Sequence, residues 1–84
     1  TTLNNIGRVY DSLGDKQQAL EFFKQSLPLS IEVGDRYLQA TTLSNTGKVY
    51  LDLGDKQQAL KFYNQSLTLY LELGDKSRQA RTLN

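Results

Sequence analysis

Apolar residues fall at Leu3, Ile6, Val9, Tyr10 and Leu13, in steps of three, three, one and three, with polar residues between them. At 3.6 residues per turn this spacing gathers one apolar face, so it predicts an amphipathic helix over Thr1–Leu13. A second helix is predicted from Asp15. Ala19, Phe23, Ser26, Leu27 and Ser30 form one face of it, with Ala and Ser small enough to admit a packed neighbour. Leu20, Phe22, Leu29, Ile31 and Val33 widen the apolar surface beyond one stripe, which predicts a helix held between two others. The pattern then starts again. A third helix is expected from about Arg36 to Leu53 and a fourth from Asp55 to Leu73, with Leu60, Phe62, Tyr63, Leu67, Leu69, Leu71 and Leu73 as its apolar set. Asp75 to Asn84 reads as the opening of a fifth.

Gly-Asp punctuates these helices at 14, 34, 54 and 74, a constant spacing of 20. Gly reaches the left-handed backbone that ends a helix, because it has no Cβ to clash. Asp opens the next helix by accepting from free N–H groups of its first turn. Gln18 and Gln58 stand three residues after Asp15 and Asp55, the pattern of a capping box. The stretch Leu13–Leu20 returns unchanged as Leu53–Leu60, and residues 1–40 match residues 41–80 at 25 of 40 positions. Self-similarity at this period predicts stacked units, each burying its apolar face on the next. The expected organisation is a first helix hairpin over 1–34, with its first helix cut short, a second over 35–74, and the start of a third repeat at 75–84.

Three residues do not suit a helix interior. Gly7 and Gly47 each cost about 1 kcal/mol against Ala, so their presence predicts close approach of a neighbouring helix. Pro28 lacks an N–H, and its ring clashes with the carbonyl of Lys24, which predicts a kink in the first hairpin. The second unit has Thr68 at that place.

Composition removes most other readings. The chain has 84 residues, ten Lys plus Arg, nine Asp plus Glu, and a net charge of +1. That balance does not draw it to nucleic acid or an anionic membrane. Without Cys or His there is no thiolate or imidazole to ligate a metal or serve as nucleophile or general base, so no metal or other cofactor is expected. Asp11 and Ser12 are adjacent and point apart on a helix, and Lys48 and Lys56 beside Asp52 read as ordinary surface pairs. No acid/base pair stands out, so the chain is not expected to be an enzyme. No apolar run approaches the roughly 18 residues of a membrane span. No signal-peptide pattern is present and the first residue is Thr, so the chain reads as a cytoplasmic piece of a longer protein.

The first unit places Leu3, Ile6-Gly7 and Tyr10 in its first helix and Ala19, Phe23 and Ser26 in its second. The second unit repeats this with Leu43, Gly47, Tyr50, Ala59, Tyr63 and Ser66. The combination resembles the tetratricopeptide repeat over the whole chain. Leu3 and Leu43 occupy the usual Trp-type position, Thr46 replaces an apolar residue before Gly47, the closing Pro is missing, and the period is 40 rather than about 34. Long repeats of this kind are similar to those of kinesin light chains, Pins-type spindle-orientation scaffolds and bacterial multi-repeat signalling proteins. The resemblance implies an all-α, right-handed superhelical solenoid of antiparallel helix hairpins.

It also implies a protein–protein interaction scaffold, with an extended peptide or partner helix in a concave groove made by the first helix of each repeat. Carried over by position, that groove would comprise Asn4, Asn5, Arg8, Asp11 and Ser12, then Ser44, Asn45, Lys48, Leu51 and Asp52, and finally Arg81 and Asn84. Asn both donates to and accepts from a peptide backbone, and the Asn5/Asn45 pair is the strongest candidate because packing does not need it. Arg8 and Lys48 stand one repeat apart and suit acidic groups, while Asp11 and Asp52 oppose a purely acid-seeking groove. The alternative is a spacer, or a homo-oligomer formed through exposed helix ends or helix swapping, with no peptide ligand. Tyr10, Tyr50, Phe23 and Tyr63 fall at packing positions, so base stacking on nucleic acid is not expected.

Overall fold

The computed structural model describes residues 2–74. Residues 75–84 lie outside the described part, and with them the expected fifth helix and third repeat. Four α-helices follow one another: α1 (Thr2–Ser12), α2 (Lys16–Glu32), α3 (Arg36–Asp52) and α4 (Lys56–Leu73). No strand occurs among the described residues. α1 packs on α2, α2 on α3 and α3 on α4, with a lighter α1–α3 contact. Neighbours in sequence are thus neighbours in space, the arrangement of a helical solenoid.

The turns form as the Gly-Asp pairs predict. Gly14, Gly34, Gly54 and Gly74 have φ of 85°, 74°, 85° and 73°, the left-handed region that glycine enters without strain. Asp15, Asp35 and Asp55 then cap α2, α3 and α4, accepting from the N–H of Gln18, Leu38 and Gln58 at 3.2, 2.9 and 3.1 Å. The capping box is only half made. The backbone N–H of Asp15 donates to Tyr10 O at 2.9 Å and that of Asp55 to Tyr50 O at 2.9 Å. The N–H that Gln18 or Gln58 should receive is therefore already closing the helix behind it.

The interior is small and local. Ala19, Leu20 and Phe23 of α2 cluster with Val49 of α3, with Tyr10 and Tyr50 packed against them. Tyr10 stacks on Phe22 and Tyr50 on Phe62, each with ring centroids 5.5 Å apart. Gly7 and Gly47 lie where the paired helix comes close. A Cβ on Gly7 would stand 2.7 Å from the ring of Phe23, which is fully buried and has nowhere to move. On Gly47 it would stand 3.2 Å from the carbonyl of Ala59 and the ring of Tyr63.

α2 is covered less completely than its apolar residues predict. Leu20 is buried and Phe22 half-buried, but Leu29, Ile31 and Val33 remain exposed. Leu29 and Val33 line an open apolar cavity with Leu3, Ser26, Ser30 and Leu38. The second hairpin differs here for a steric reason. Tyr70 stands where the first has Ser30; it is buried and its hydroxyl lies 3.2 Å from that of Thr41. Ser66 Oγ donates to Ala40 O at 2.8 Å, whereas its counterpart Ser26 is buried with no hydrogen-bond partner among the described residues.

Pro28 does not end α2, which runs on to Glu32. Having no N–H, it leaves the carbonyl of Lys24 without its helical donor. In α4 the hydroxyl of Thr68 donates to the corresponding carbonyl, Asn64 O, at 3.0 Å. Replacing Pro28 by the Thr of the second unit is expected to stabilise the protein by about 1–3 kcal/mol, read as a higher thermal midpoint. Gly7→Ala is expected to lower stability by about 1–3 kcal/mol through overpacking against Phe23. Gly47→Ala, whose neighbours need shift only slightly, should lose clearly less, both variants being read by urea unfolding.

Candidate functional site

α1 and α3, the first helices of the two units, flank an open groove of about 580 Å³. Asn5, Arg8, Val9, Asp11, Ser12 and Leu13 line one side, and Asn45 and Lys48 the other. Six residues expected in a groove thus meet there: Asn5, Arg8, Asp11, Ser12, Asn45 and Lys48. Asp52 joins them through its ion pair with Lys48. Val9 and Leu13 add exposed apolar surface to its lining; helical periodicity had placed both on the packing face instead.

Three expected groove residues sit elsewhere. Asn4 is buried, and its Oδ1 accepts from Thr42 Oγ1 at 3.3 Å and from Asn45 Nδ2 at 3.4 Å. It stitches α1 to α3 beneath the groove, so its amide oxygen is spent on packing. Ser44 Oγ lies 2.6 Å from Ser66 Oγ, which turns it toward α4 inside the second hairpin. Leu51 is half exposed and not among the groove-lining residues. Arg81 and Asn84 lie outside the described residues.

The charges at the groove are organised into a closed ring. Asp11 pairs with Lys16 through one carboxylate oxygen and with Lys48 through the other, the latter at 2.9 Å. Asp52 Oδ2 meets the same two ammonium groups at 2.9 and 3.2 Å. Two anions and two cations alternate, drawn from α1, the start of α2 and the last turn of α3. The i, i+4 pair of Lys48 with Asp52 is the ordinary helical one. Lys56 takes no part. Lys16 takes its place by reaching Asp52 across 36 residues of sequence, a contact that helical spacing cannot reveal. Arg8, by contrast, is exposed and has no acidic partner among the described residues.

Each charge in the ring holds its neighbours ionised. Partial burial pushes the Asp11 carboxyl up, but hydrogen bonds from Lys16 and Lys48 outweigh this and keep it below its ordinary value. Asp52 is lowered by Lys16 first and Lys48 second. Lys16 is raised by Asp11, then Asp52, and Lys48 is raised chiefly by Asp11. Burial raises the Tyr63 hydroxyl, helped by the charge of Asp52.

The sign of the pH dependence follows. Depressed carboxyls contribute stability above the ordinary value of 3.8 and lose it as pH falls through their lower folded values. Raised ammonium groups contribute below 10.5 and lose it as pH climbs through their higher folded values. Lys16→Ala is therefore expected to cost about 1 kcal/mol at neutral pH, since exposed pairs contribute about 0.2–1 kcal/mol each. The difference from wild type should shrink in molar salt and vanish once Asp11 and Asp52 are protonated, as followed by urea unfolding across salt and pH.

The matched residues and the matched fold agree in kind. No curated protein matches the chain. A family model described as Tetratricopeptide repeat matches residues 1–72, which takes in nearly the whole described structure. Helix hairpins stacked in chain order are the right-handed superhelical solenoid that such repeats build. With that match over most of its length, and with Gly7 and Gly47 packed under Phe23 and Tyr63 at its two hairpins, the chain belongs to the tetratricopeptide repeat family.

Proposed function

We propose that this chain is a protein-binding module whose α1–α3 groove receives an extended peptide or a partner helix. Repeats of this family are in general protein–protein interaction modules. The observation that carries the finer reading is the meeting of Asn5, Arg8, Ser12, Asn45 and Lys48 in one open groove with Val9 and Leu13. Exposed apolar side chains beside polar and charged ones suit a recognition surface.

The chemistry of the groove narrows its ligand. Lys48 is held by Asp11 and Asp52, so its charge is largely answered within the protein. Arg8 is the cation that remains for a ligand, and its planar guanidinium suits a carboxylate or a chain of backbone carbonyls. Asn5 offers an amide that both donates and accepts. Nothing in this arrangement activates a nucleophile or pairs an acid with a base, which supports a binding role over a catalytic one.

The test is a selection of randomised displayed peptides on the 84-residue protein. Asn5 and Arg8 are exposed, so Asn5→Ala with Arg8→Ala should leave the fold intact by circular dichroism. Peptides recovered on wild type are expected to bind this double variant at least about tenfold more weakly, a change worth about 1.4 kcal/mol. Unchanged binding would move the partner surface out of the groove.

A further inference from the structure

Of the two cations at the α1–α3 junction, Lys16 is the one that comes from outside the groove. Asp11 and Lys48 line the groove, while Lys16 enters from the first turn of α2 and is not among the lining residues. Its ammonium group has three N–H donors and meets three acceptors. These are the carboxylate of Asp11, the backbone carbonyl of Asp11 at 3.3 Å and Asp52 Oδ2 at 2.9 Å. Asp11 lies in the last turn of α1 and Asp52 ends α3, so both helix dipoles favour a cation at this place. Lys16 is also the more enclosed of the two, with 20% of its side chain exposed against 57% for Lys48.

The repeat supplies a control. Lys56 holds the place of Lys16 in the unchanged stretch Leu53–Leu60, but Leu51 stands where the first unit has Asp11. Lys56 is exposed and takes no part in the ring. The turn lysine is thus common to both units, and the acids beside it are what set Lys16 apart. With Lys16 present, two anions and two cations sum to zero at the junction. Without it, two anions face the single cation of Lys48, which leaves one negative charge beside the groove wall.

We infer that Lys16 sets the charge selectivity of the groove without touching its ligand: it answers the Asp11–Asp52 pair from behind, so the groove disfavours basic side chains that those acids would otherwise draw in. The inference rests on the groove being the ligand site, as proposed above. A partner of the wild-type protein accordingly brings neutral or acidic side chains to the α1–α3 junction. Lys16 is fixed by three hydrogen bonds from a short turn, so it holds this balance whatever the groove contains.

An NMR titration tests this with a probe that needs no selected ligand: tetralysine, blocked at both ends, added to the isotope-labelled 84-residue protein. Lys16→Ala is expected to bind it about two- to fivefold more tightly than wild type, the ratio that one exposed ion pair supports. The shifts should fall at the amides of Asn5, Asp11 and Asn45, and molar salt should abolish the gain. Adding Asp52→Asn to Lys16→Ala should return the affinity to that of wild type. Lys56→Ala removes the same charge from the same place in the other unit and should show no such gain. Lys16→Gln keeps most of the side chain and takes over the test if Lys16→Ala loses its helical circular dichroism. Equal gains in Lys16→Ala and Lys56→Ala would mean that net charge alone decides. No gain would mean that Lys48 or Arg8 answers the freed carboxylate. Either result overturns the inference and leaves the groove reading untouched, since that reading is judged by displayed peptides on the Asn5→Ala, Arg8→Ala double variant.

Discussion

Asp15, Asp35 and Asp55 each serve two helices at once. The backbone N–H of each bonds back across the left-handed glycine to the helix behind, and its carboxylate accepts from the third residue of the helix ahead. Each cap contributes about 1 kcal/mol, a modest sum. Its geometric effect is larger. A three-residue turn with both bonds made has little freedom, so the direction of each helix is set by the one before it. The packing of Gly7 under Phe23 and of Gly47 under Tyr63 is possible only because that direction is held. From this repeated turn follow the stack of four helices and the groove on one side.

The groove itself comes from where the two copies differ. Asp11 aligns with Leu51 and Ser12 with Asp52, so a carboxylate shifts by one place between units. That shift lets Lys16 and Lys48 bridge both acids at the α1–α3 junction. Identical copies would not build the ring. The ring in turn fixes the character of the groove: Lys48 is occupied, and Arg8 is left as the available cation. A register lock between hairpins and the electrostatics of the α1–α3 groove are therefore one structure.

Helix existence, type and limits were legible from the chain, because they rest on local causes. The 3.6-residue apolar period, the φ demand met by glycine and the capping acid all act within a few residues. Gly7 and Gly47 were legible too, since a helix interior tolerates Gly only for a reason. The lining of the candidate groove was legible in part. Asn5, Arg8, Asp11, Ser12, Asn45 and Lys48 line it as position in the repeat implied, while Asn4, Ser44 and Leu51 do not, because a few tens of degrees around a helix separate groove from interior. Lys16 gave no signal: Asp11 lies five residues away across a turn, and Asp52 lies in another unit.

What the sequence by itself determined is the unit: helix, Gly-Asp turn, helix, repeated at 40 residues, with small residues where helices touch. Short-range sterics and hydrogen bonds suffice for that. Tertiary structure alone decided which side chains share a neighbourhood. It brought Lys16 to Asp52, spent Asn4 on Thr42 and Asn45, and buried Val49 while leaving its copy Val9 bare. The reason is physical: burial and ion pairing depend on what lies across a joint, and two identical residues meet different neighbours when one faces a helix and the other faces water.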